Sequence, residues 1–184
     1  SYYLKCFMKK YSGITALAAL YIAVIFITGC ANREGEDRGY IVNVGQTAPD
    51  FTTVLANGDT FRLSDNRGKI VMLQFTASWC SVCREEMPHI ESEIWQPLKV
   101  KDFVLVGIDR DEPLDVVRAF ADSIDITYPL ALDPNADIFG LYALKEAGVT
   151  RNVIIDRDGK IIFLTRLYEK KEFDEMKDVI YRNV

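Results

Sequence analysis

Two short alternating stretches, Phe51 to Leu55 and Thr60 to Leu63, flank Asn57-Gly58, a dipeptide suited to a tight turn in which both central residues take positive φ. A β-hairpin is therefore expected to open the globular part. Lys69-Ile-Val-Met-Leu-Gln-Phe75 and Phe103-Val-Leu-Val-Gly-Ile108 are instead nearly continuous apolar runs, the pattern of strands covered on both faces. Residues 80 to about 99 have helical composition, and apolar residues at 114, 116, 117 and 120 favour a second helix over about 112–123. Strand, helix, strand, helix implies a parallel sheet with right-handed crossovers. Further on, Asn152-Val-Ile-Ile-Asp156 and Lys160-Ile-Ile-Phe-Leu164 flank Arg157-Asp158-Gly159, a second hairpin signature, and residues 169–181 can close the chain as an amphipathic helix. The expected class is α/β, a mixed central sheet flanked by helices, with an added N-terminal β-hairpin.

The first residues follow another pattern. Lys9-Lys10 precede an uncharged, mostly apolar run from Ile14 to Thr28, which ends in Ile27-Thr-Gly-Cys30. The run is shorter than the ~20 residues a spanning helix needs. A basic region, an apolar region and small residues at its end make residues 1–29 a secretory signal, excluded from fold reasoning. The ending resembles the lipobox of bacterial lipoproteins, which implies that Cys30 carries a diacylglyceryl group and begins the mature chain as a membrane anchor. The alternative is a cysteine beside an ordinary cleavage site. Met8 is the expected natural start, which leaves Cys6 an unpaired thiol without a role. Residues 30–44 are polar and charged without periodicity, a lipidated N-terminus and tether, and residues 45–184 are the expected domain.

Length and charge narrow the function. The 184 residues, 49% of them apolar, suffice for about one packed domain plus an appendage. The net charge is −5, and basic residues nowhere interleave with aromatics, so nucleic acid is not an expected partner.

The chemistry concentrates in Phe75-Thr-Ala-Ser-Trp-Cys-Ser-Val-Cys-Arg84. A buried strand should end near Thr76, which puts Cys80 in the first turn of a helix, where free N–H groups and the positive end of the dipole stabilise a thiolate. Cys83 lies one turn further along the same face. Thiol–disulfide exchange needs such a pair, with Cys80 as the exposed attacker and Cys83 as the resolver that breaks the mixed disulfide. A permanent disulfide is the first alternative, though it would close a loop too short to give much entropic stabilisation. A metal site is the second, but zinc usually takes four N or S ligands, and there is no second cysteine pair. His89, the sole histidine, falls half a helical rotation from Cys80 and beyond Pro88. Haem attachment would need histidine where Arg84 stands. No metal or cofactor is expected beyond the Cys80–Cys83 disulfide itself.

Gly45-Gln-Thr-Ala-Pro-Asp-Phe51, Leu63-Ser-Asp-Asn-Arg-Gly-Lys69, Gln74-Phe-Thr-Ala-Ser-Trp-Cys-Ser-Val-Cys83 and Val153-Ile-Ile-Asp-Arg-Asp-Gly-Lys160 resemble the TlpA/ResA-like, membrane-tethered thiol-disulfide oxidoreductases of the thioredoxin superfamily, AhpC/TSA–redoxin-like proteins. The resemblance covers about residues 45 to 184. It implies a thioredoxin fold, thiol or disulfide proteins as substrates, a membrane or periplasmic electron donor, and a location in the cell envelope, periplasmic or extracytoplasmic. It also implies that Trp79 offers an apolar surface to partners and that Glu86 tunes thiol protonation. Gln74 stands where thioredoxin has a buried, proton-relaying aspartate, work that a neutral amide cannot do and for which Glu86 can compensate. Pro88 should kink its helix.

One stretch departs from the family. Gly148-Val-Thr150-Arg-Asn-Val replaces Gly-Val-Pro-Thr-Thr-Phe, whose proline is cis and faces the cysteines. A cis bond before threonine would cost about 2.5–4 kcal/mol, so a trans bond is expected. Thr150 and Arg151 are candidates for the contact surface, with Arg151 expected near Cys80. The Thr-Arg pair also resembles peroxiredoxins, so a thiol peroxidase is an alternative. A Sco-like copper-binding metallochaperone is another, although its Cys-x-x-x-Cys spacing and distant histidine are not matched here.

Overall fold

A computed structural model describes residues 38–184. Strands β1 (Thr52–Val54) and β2 (Thr60–Arg62) form an antiparallel hairpin that stands as its own two-stranded sheet. Strands β3 (Ile70–Thr76), β4 (Phe103–Arg110), β5 (Leu130–Asp133), β6 (Arg151–Ile155) and β7 (Ile161–Arg166) form the main sheet in the order β5-β4-β3-β6-β7. The β3–β4 and β4–β5 pairs are parallel, whereas β3–β6 and β6–β7 are antiparallel, so the sheet is mixed as expected. All seven residues of β3 are buried, which is why its sequence does not alternate.

Helix α1 (Ser81–Ile90) links β3 to β4, α2 (Leu114–Ile124) links β4 to β5, α3 (Phe139–Tyr142) precedes β6, and α4 (Lys170–Asn183) ends the chain. Helices α1, α2 and α4 share one face of the sheet: α1 touches α2 through Arg84 over the Phe120 ring, and α4 touches the continuation of α1 through Lys177–Glu93. The other face is covered by α3 and the N-terminal segments, where Phe75 packs on Phe139 and Tyr142, and Tyr142 on Phe51. The hairpin closes the β5 edge, because Leu55 bridges to Ala131 and the Thr53 hydroxyl donates to Leu132 O at 2.6 Å. An otherwise open strand edge is thereby protected.

As expected, helix spans residues 80 to about 99: α1 runs on past Pro88 through a π-helical turn, Glu91–Trp95, into Gln96–Leu98. Two features differ from the sequence reading: two short elements that it lacks, and the part of the tether that is folded. Strand β5 and helix α3 were not anticipated, since four residues each carry too little periodicity to register. Part of the expected tether is folded: Tyr40 and Val42 are buried, and Tyr40 donates to Thr165 O at 2.5 Å. The signal segment, Cys6, Cys30 and tether residues up to 37 lie outside the described residues.

Candidate active site

Strand β3 delivers the chain to a tight turn at residues 77–80, and Cys80 occupies the cap position of α1, its Sγ accepting from the Cys83 N–H at 3.2 Å. The two cysteines form a disulfide with their Cα atoms 5.3 Å apart. Cys80 keeps 8% of its surface exposed and Cys83 none, so one sulfur can be approached and the other cannot. Trp79 stands beside them, 62% exposed.

Thr150 closes the site from the segment before β6. Its hydroxyl lies 3.1 Å from Cys80 Sγ and 3.3 Å from Cys83 Sγ, and because a disulfide has no S–H, the hydroxyl is the donor. Among the described residues there is no cis peptide bond, so Thr150 follows a trans bond. Where the family pattern has proline, this chain places a hydrogen-bond donor against both sulfurs.

Below the disulfide lies a buried polar layer. Glu86, one turn beyond Cys83, is 1% exposed, and its Oε1 accepts from Asn152 Nδ2 at 2.7 Å. Burial pushes the Glu86 carboxyl up to about 8, against the opposing pull of the Asn152 and Gln74 amides. Asn152 in turn donates to the Thr165 hydroxyl at 2.9 Å, and Gln74 Oε1 accepts from the Tyr128 hydroxyl at 2.8 Å. Gly107 packs beside this layer, where a Cβ would stand 2.4 Å from Leu130 Cδ2 and 3.3 Å from Tyr128 Cε2. Gln74 Nε2 and Glu86 Oε2 are buried in this layer without a hydrogen-bond partner, and Glu86 is its titratable group.

Arg151 is the correction. Register pairs it with Phe75, and the pleat turns it away from α1, to the face opposite Thr150 and Asn152. It is 1% exposed, its guanidinium lies 5.1 Å from the Tyr40 ring centroid and 5.6 Å from that of Phe139, and it donates to Arg38 O. It shapes no contact surface at Cys80. Sequence reasoning also missed Asn152, Tyr128 and Thr165, as well as Asp109 and Glu112 behind the Cys80 turn. Only Asn152 had a signal, since it lies two residues from Thr150 on the same face of one strand.

Residues 44–164 match the AhpC/TSA family. Thiol-disulfide oxidoreductase ResA of Geobacillus kaustophilus is 32% identical over 157 residues, 84% of this chain and 87% of that protein. ResA of Bacillus cereus is 31% identical over 121 residues, 66% of this chain and 68% of its own. Among solved structures, a candidate protein disulfide isomerase from Bacteroides thetaiotaomicron superposes with a TM-score of 0.77 at 60% identity, covering 79% of this chain and 92% of that one.

Proposed function

Because the chain belongs to the AhpC/TSA family and is a thiol-disulfide oxidoreductase with a thioredoxin-like fold, we propose that it exchanges disulfides with exported proteins in the cell envelope, with Cys80 attacking and Cys83 resolving. The observation that carries the assignment of roles is the asymmetry of the pair: Cys80 Sγ is the partly exposed helix cap, and Cys83 is fully enclosed. In the reducing direction, the Cys80 thiolate attacks a substrate disulfide, forms a mixed disulfide and releases one substrate thiolate. Cys83 then gives up its proton and attacks Cys80 Sγ, which reforms the Cys80–Cys83 disulfide and releases the second substrate thiolate. The substrate gains two electrons and two protons, and the protein loses them. The Cys83 N–H and the Thr150 hydroxyl stabilise the attacking thiolate. Glu86 holds a proton up to about pH 8, within the range where thiols titrate, and serves Cys83 as a proton exchanger. Trp79 offers the protein substrate an apolar platform.

Anchoring through Cys30 completes the reading, supported by the apolar run that ends in Ile27-Thr-Gly-Cys30, and the similarity to ResA supports a membrane or periplasmic electron donor. The peroxidase alternative loses the arginine it needs, since Arg151 lies on the far face of the sheet. Equilibration of the protein in glutathione and dithiothreitol buffers tests the function. A potential near about −270 mV assigns a reductase fed by a donor and one near about −120 mV an oxidant. A pair that stays oxidised in excess dithiothreitol is a structural cross-link, and the proposal fails.

A further inference from the structure

Ser78, two residues before Cys80, is held at three of its atoms. Its N–H donates to Glu112 Oε2 at 2.6 Å and its hydroxyl to Glu112 Oε1 at 2.5 Å, while its carbonyl accepts from Arg84 Nε at 2.7 Å. Glu112 comes from the segment after β4 and Arg84 from α1, so two separate elements clamp the turn that delivers the nucleophile. Behind Glu112 stands Asp109, on β4 opposite Thr76, fully buried, its carboxyl facing that of Glu112, with no donor to either oxygen. A bare carboxylate there would be costly. A protonated one is neutral and can donate its one O–H to the Glu112 carboxylate.

We propose that Glu112 is a positioning residue that fixes the Cys80 turn through Ser78, and that Asp109 tunes this grip by sharing a proton with Glu112. Burial first, then the charges of Glu112 and Asp111, push Asp109 up to about 8. The other charged groups around the pair are committed elsewhere: Arg110 pairs with Asp111 at 2.7 Å, Asp133 on β5 accepts from the Ile138 and Phe139 amides, and Arg84 from α1 holds Ser78 O. Above that pH the ionised Asp109 repels the Glu112 carboxyl that it faces and loosens its hold on Ser78.

The inference rests on Cys80 as the attacking thiol. The test measures, from pH 6 to 10, the rate at which the reduced protein forms a mixed disulfide with a small aromatic disulfide, divided by its thiolate fraction and mapped by mass spectrometry. In the unaltered protein the rate per thiolate should fall several-fold on passing about pH 8, and in Asp109→Asn that fall should vanish. Glu112→Gln should be about tenfold slower at pH 7, the scale of one charged hydrogen bond. Ser78→Ala, which deletes the hydroxyl contact alone, covers the case in which a carboxyl variant does not fold, and should be about threefold slower. An unchanged fall in Asp109→Asn, or unchanged rates in Glu112→Gln or Ser78→Ala, overturns the inference while leaving Cys80 as attacker. A mixed disulfide mapped to Cys83 instead overturns both.

Discussion

On the α3 side of the central sheet, Phe75 meets Phe139 edge-on at 5.4 Å and Tyr142 at 5.5 Å, buried Arg151 lies against aromatic rings, and buried Asp133 accepts from the Ile138 and Phe139 amides. On the α1 side the same strands present Gln74, Thr76, Asp109 and Asn152 to a helix that adds Glu86, and Gln74 Nε2, Glu86 Oε2, Asn152 Oδ1 and both Asp109 oxygens lack partners. Adjacent residues of one strand, Gln74 and Phe75 or Arg151 and Asn152, divide between these environments. One face is packed for stability. The other keeps proton-binding groups buried beneath the disulfide, where thiols gain and lose protons, and it does so at a cost in stability.

Disturbing the aromatic face should give the largest stability effect with the least redox effect. Phe139→Ala should lower the unfolding free energy by about 4 kcal/mol through lost packing and a cavity, with an unchanged Cys80–Cys83 potential. A shifted potential would break the division between faces.

Titration addresses the polar face. Burial raises Glu86 above its unfolded value of 4.5 to about 8, so within that window the folded protein holds a proton that the unfolded chain has released. Stability from this group is therefore full below pH 4.5 and lost as pH climbs towards 8, by roughly 4 kcal/mol. Denaturant unfolding of the oxidised protein at pH 5 and pH 8 should show the loss, and Glu86→Gln should reduce it.

Thr150→Val keeps the shape but removes the donor to both sulfurs. It should raise the pH midpoint of Cys80 alkylation and slow attack about fivefold at pH 7, equivalent to about 1 kcal/mol. If neither moves, the hydroxyl is a packing contact only. The smallest change in stability belongs to Trp79→Ala, within about 0.5 kcal/mol because the ring is exposed. Turnover of a protein disulfide should nevertheless fall while that of a small disulfide does not.

Strands β3, β4, β6 and β7 of the main sheet and the Cys80–Cys83 pair were legible because their signals are local: unbroken apolar runs, turn dipeptides and a fixed spacing at a helix start. The polar layer was not, since Glu86 meets Asn152 across 66 residues and Gln74 meets Tyr128 across 54. Such pairings follow from strand register, which no single segment encodes. Arg151 was misplaced for a related reason: adjacency to Thr150 in sequence means opposite faces in a strand. Tyr40 and Val42 belong to a short apolar run, Tyr40-Ile-Val-Asn-Val44, at the end of the polar stretch, too brief to show periodicity, yet the Tyr40–Ala143 bridge and the burial of both residues fold it onto the body.

The most direct measurement is capture of a mixed disulfide during insulin reduction by Cys83→Ser and Cys80→Ser variants. With Cys80 as attacker, Cys83→Ser should accumulate a covalent complex through Cys80, and Cys80→Ser should neither form a complex nor turn over. A complex through Cys83 in Cys80→Ser, or unchanged turnover by that variant, would contradict the assignment of roles.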